Sequence, residues 1–163
     1  MRSLVLIALV GFGLAGCKPD LPVDPNPVAG LKFLEVTGHW AYSATDVRLS
    51  GSPSPGPCEI TGVTLTLTKI PKAGAFSGRS TGGRLTCMGD LSFLSGPLAD
   101  YPIAEGYTFN QFVAFDLGSP DWRHDGYVAT ADSVSVDSMS GNFKLMNGGI
   151  MLEGLFRAVR QSK

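Results

Sequence analysis

From Leu31 to Lys163 the chain alternates short period-two runs with turn chemistry, and this pattern limits the fold more than any other feature. Helical periodicity is hard to find over any window of 11–18 residues; the apolar residues instead recur every second position, as on a half-buried strand. Val63-Thr-Leu-Thr-Leu67 is the clearest case, with β-branched residues that suit a pleated surface. Tyr107, Phe109, Val113, Phe115 and Leu117 share one parity, and Ile150, Leu152, Phe156 and Ala158 share another. Between the runs stand Ser52-Pro-Ser-Pro-Gly-Pro57, Lys72-Ala-Gly74, Gly82-Gly83, Met88-Gly-Asp90, Ser119-Pro-Asp121, Asp125-Gly126 and Asn147-Gly-Gly149. These are residues that set or tolerate turn dihedrals. The expected strands are Gly38–Val47, Cys58–Lys69, Ala75–Thr81, Arg84–Met88, Leu91–Leu98, Tyr107–Leu117, Tyr127–Ser133 with Val134–Asp137 continuing or turning back, Gly141–Leu145 and Gly149–Arg160.

Regularly spaced short strands imply an all-β sandwich or barrel. Most links are short, which favours antiparallel pairing of sequence neighbours; a Greek-key sandwich needs long crossovers. The only long irregular links expected are Leu49–Pro57 and Ala99–Gly106. A barrel also removes the edges that invite aggregation. The fold expected is therefore an antiparallel up-and-down barrel of about eight strands, with a β-sandwich as the alternative. Glycines inside the runs, at Gly62, Gly78, Gly96, Gly141 and Gly154, fit bulges or barrel corners.

The N-terminus follows a different logic. Arg2 is followed by an apolar run, Leu4–Leu14, and then Leu14-Ala15-Gly16-Cys17. The run is about half the ~20 residues needed to span a bilayer, and its layout is that of a removable export signal. It resembles the signal peptide and lipobox of bacterial lipoproteins. The resemblance implies that Cys17 receives a diacylglyceryl group, becomes the first residue after cleavage and is acylated again on its amine. Stable anchoring takes more than one acyl chain. The competing reading is an ordinary secretory signal containing a cysteine. Lys18 rather than aspartate after the cysteine points to the outer membrane, facing the periplasm or the cell surface. The parts expected are a leader (1–16), a lipidated and proline-rich tether (17–30) and the barrel domain (31–163). Four prolines in Lys18–Gly30 favour extended geometry of about 3.1 Å per residue.

Cleavage leaves 147 of 163 residues, enough for one domain. The leader holds one of the 13 basic and none of the 14 acidic residues, so the remainder carries −2. This lacks the basic excess of a nucleic-acid binder. Besides Cys17, two cysteines remain, Cys58 and Cys87. In an exported chain such a pair reads as one disulfide. Two buried thiols or a metal site are the alternatives, but His39 and His124 lack ligand spacing to either cysteine, so no metal or cofactor is expected.

A second resemblance rests on Gly38-His-Trp40-Ala-Tyr42, Phe76-Ser-Gly78-Arg79, Asp137-Ser-Met-Ser-Gly141-Asn-Phe143 and Gly154-Leu-Phe-Arg-Ala-Val-Arg160. Their order is similar to that in the eight-stranded barrels of the lipocalin and avidin type. It implies that Trp40 packs at the barrel base against Arg157 or Arg160. It does not bring a biotin site. Trp40, Tyr107, Phe109 and Phe115 are candidates to line a ligand pocket, or to fill the core. Asp121-Trp-Arg-His124-Asp125 is the densest polar cluster, read as a solvated hairpin turn rather than a catalytic site. No nucleophile elbow appears, so no catalytic residue is assigned. The function expected is non-enzymatic: a lipid-anchored envelope barrel for a small apolar ligand or an envelope component. The alternative is a solid-cored structural or protein-interaction module of the envelope.

Overall fold

A computed structural model describes residues 33–54, 56–118, 122–130, 136–147 and 149–162. The leader, Cys17, the tether and Asp121 lie outside the described residues. The chain divides into a unit of Met1–Gly30 and a unit of Leu31–Lys163. Every strand among the described residues belongs to the second unit.

The strands are β1 (Gly38–Leu49), β2 (Cys58–Lys69), β3 (Ala75–Thr81), β4 (Arg84–Cys87), β5 (Gly96–Pro97), β6 (Tyr101–Phe109), β7 (Phe112–Leu117), β8 (Trp122–Thr130), β9 (Val136–Asn147) and β10 (Ile150–Arg160). All pairings are antiparallel. Following the pairs from β1 through β10, β9, β8, β7, β6, β3 and β2 returns to β1. This ring of eight is a closed up-and-down barrel. β4 continues β3 along the same edge of β2, past a kink at Gly82-Gly83. β5 likewise precedes β6 beside it. At both kink glycines φ is positive, 66° and 97°, a region that glycine enters without steric cost.

Alternation sends one face of each strand inward. Tyr42, Ile60, Leu65, Phe76, Ile103, Phe115, Trp122, Phe143, Leu152 and Phe156 meet in one buried cluster. Gly126 and Gly141 sit opposite each other on β8 and β9. A Cβ on Gly141 would lie 2.2 Å from the Asp125 carbonyl oxygen, and one on Gly126 would lie 2.9 Å from the Phe156 ring. The two glycines thus let adjacent strands and a core aromatic close together.

Five sequence expectations need correction. Leu91–Leu98 is not a strand: Gly89–Leu94 forms a 3-10 turn before the two-residue β5. Leu91 and Leu94, three apart, both pack on the core, as the three-residue period of this helix permits. Tyr107–Leu117 is two strands, joined by a hairpin at Asn110-Gln111 with Phe109 paired to Phe112. Asn110 adopts φ 52°, a left-handed conformation that asparagine tolerates. The expected loop Ala99–Gly106 is consequently strand from Tyr101 onward. Finally, Trp122–Asp125 belong to β8 rather than to a turn, and Val136–Asn147 runs unbroken through Gly141.

Candidate functional site

The barrel interior carries a buried polar pair. β1 places Tyr42 and β8 places His124 on the inward face, where both are fully buried. The Tyr42 hydroxyl and His124 Nε2 are 2.9 Å apart. The His124 ring stacks on Phe115 at 4.4 Å and meets Phe156 edge-on at 5.1 Å. Tyr42 in turn packs against Trp122 at 5.8 Å and Phe156 at 5.9 Å. These rings pack against one another across this part of the interior. His124 Nδ1 and Trp122 Nε1 are buried in the same aromatic cage without a well-aligned hydrogen bond.

Burial disfavours the charged form. It lowers the His124 pKa to about 3 and pushes the Tyr42 phenol well above its ordinary value. The neutral, enclosed imidazole is placed to hold the tyrosine hydroxyl. The sign of its pH effect follows from linkage. Unfolded, the histidine titrates near its ordinary 6.5; folded, near 3. Between these values the unfolded chain binds more protons, so stability falls as pH falls. From pH 6.5 to 4.5 the expected loss from the histidine alone is about 2 kcal/mol. Melting curves at the two pH values measure it, and His124→Phe should flatten the difference.

The base of the barrel, where β1 begins and β10 ends, is closed by Trp40 and Arg160. Trp40 is fully buried, and its indole N–H donates to the Val36 carbonyl at 2.9 Å. The Arg160 guanidinium lies 4.5 Å over the Trp40 ring. It donates to the carbonyls of Val136 (2.7 Å), Glu35 (3.0 Å) and Thr37. Of the two arginines expected here, the structure selects Arg160. Arg157 is exposed on the outer face, opposite Ser140 and Ser43. The two positions are three apart, so on a strand they point to opposite faces.

The expected pocket lining divides in the same way. Trp40 and Phe115 face inward and are buried. Tyr107 and Phe109 face outward, 37% and 43% exposed. The hairpin after Phe109 reverses which parity points inward, so Thr108 takes the buried position. Phe109, Phe112 and Tyr127 instead form an outer cross-strand row, with ring centroids 4.9 Å and 6.3 Å apart. Sequence reading missed this row; Asn110, the residue best suited to a tight turn in that run, was the available signal.

At the opposite end the loops are pinned. Cys58 and Cys87 are directly paired across β2 and β4 and form a disulfide. The Gly56 amide donates to Asp46 Oδ1 at 2.6 Å, and the Ser50 hydroxyl to Glu153 Oε2 at 2.9 Å. Beyond the disulfide, Met88 is 71% and Phe93 68% exposed. Met88 stands between two open clefts of about 300 and 390 Å³. Among the described residues no group of three or more His, Cys, Asp or Glu side chains is placed to hold a metal. Comparison with known proteins found no matching family model, curated protein or solved structure.

Proposed function

We propose that this chain is a lipid-anchored protein of the bacterial cell envelope whose barrel works by its outer surface, as a structural or protein-interaction module. The filled interior carries this reading: Tyr42, Phe115, Trp122, His124, Phe143 and Phe156 occupy the space where a small apolar ligand would lie. Small barrels are either filled by their own side chains or hold one ligand. The leader and Leu14-Ala15-Gly16-Cys17 support the anchor, on the outer membrane, and Trp40 with Arg160 supports the likeness to lipocalin and avidin barrels. The pinned loop end, with Met88 and Phe93 exposed, is the surface offered to an envelope partner. No catalysis is part of this reading.

Cells provide the test. Cys17→Ser should move the protein from the membrane to the soluble fraction. A photo-crosslinking residue replacing Phe93 should give a larger adduct in intact cells; recovery of the monomer alone would sink the partner surface. A small molecule retained through native mass spectrometry would restore the carrier reading.

A further inference from the structure

The outer row of Phe109, Phe112 and Tyr127 has no role in closing the barrel. Tyr127 is 68% exposed, a value matched among the exposed aromatic residues by Phe93 alone. Contiguous exposed apolar surface marks an interaction site more often than scattered single residues do. The row continues through Ser140 to Arg157 and contains no carboxylate. It lies near the base, and the described chain enters beside it. The Thr108 hydroxyl, one residue before Phe109, donates to the Leu34 carbonyl at 2.9 Å. Phe33 therefore starts next to the aromatic row, sixteen positions after Cys17. In extended geometry that length reaches at most about 50 Å, so a tether this long leaves the barrel's orientation undetermined.

We propose that the Phe109–Phe112–Tyr127 face seats on the lipid surface that holds the anchor, turning the base toward the membrane and the Met88–Phe93 end away from it. This inference rests on the anchored reading above. The phenol of Tyr127 suits the headgroup level of a bilayer, where tyrosines concentrate, the neighbouring phenylalanine rings add apolar area, and Arg157 at the end of the row suits lipid phosphate. The row and the chain's entry point lie at one end, so acyl chains at Cys17 would raise the local concentration of lipid beside these rings.

Tryptophan fluorescence tests it, because Trp40 and Trp122 are both fully buried and add only a constant background. The full chain, expressed with its own leader, is exchanged into phosphatidylcholine–phosphatidylglycerol vesicles containing brominated phosphatidylcholine. Tyr127→Trp should give blue-shifted emission that the brominated lipid quenches. Met151→Trp, at the opposite end, should stay unquenched. Adding Phe109→Ser to Tyr127→Trp should weaken the quenching. A chain that floats with the vesicles while Tyr127→Trp stays unquenched overturns the face and leaves the anchor standing. Blue-shifted but unquenched emission means that protein covers the row, and also overturns it. Equal quenching at both positions removes the orientation. A chain with an unmodified N-terminus that still shows selective quenching keeps the face and removes the anchor; one that neither floats nor is quenched removes both.

Discussion

Replacing Cys58 with serine should lower stability by about 3–4 kcal/mol in the chain-entropy model. The bond joins positions 29 apart in sequence, and losing it frees a loop of that length in the unfolded ensemble. For a domain of this size the loss corresponds to a fall in melting temperature of roughly 10 °C. Reducing the wild-type protein should give the same shift, and the two treatments should not add. The expected route of unfolding is local. Without the bond, β4 keeps only a four-residue pairing with β2 and two pairs with β5. Hydrogen exchange should therefore rise first over residues 84–97. Equal melting of oxidised and reduced protein would remove the disulfide's structural role.

Arg160→Ala should cost about 3 kcal/mol, because a guanidinium that bridges three segments has no simple substitute. The carbonyls of Glu35, Thr37 and Val136 lose their donor, and the face of Trp40 loses its cation. A hydrogen bond from a charged group contributes about 1.5–3 kcal/mol, and the partial exposure of this guanidinium keeps the total of its three bonds well below their sum. Arg160→Lys should recover less than half of the loss. A compact ammonium cannot spread three donors across three carbonyls or stack as a plane. Arg157→Ala, on the outer face, should leave the melting temperature nearly unchanged. Urea denaturation of the three variants separates these outcomes. A loss at position 157 equal to that at 160 would mean that the base is not closed as described.

Much of the fold was legible because local chemistry carries it. Cys58–Lys69 and Ala75–Thr81 form at their expected bounds, where the runs are flanked by proline or glycine turns. The disulfide was readable as the pairing of Cys58 with Cys87, the two cysteines of the strand-forming region. Other parts were not readable, and each has a cause. Asn110-Gln111 lacks the glycine or proline that usually announces a hairpin, so one long run hid two strands. Asp121–Asp125 is polar in sequence, yet His124 ends in the core because Trp122, His124 and Gly126 share the inward parity of β8. Leu91 and Leu94 look like strand residues until the 3-10 turn brings them to one side.

The sequence by itself determined an all-β chain of antiparallel neighbours, since periodicity, turn residues and link lengths act within a few positions. Only the tertiary structure decided which face of each strand is inside. A two-residue turn exchanges every inward and outward position that follows it, and closure around the ring then commits Tyr42 and His124 to the core and Phe109 to the surface.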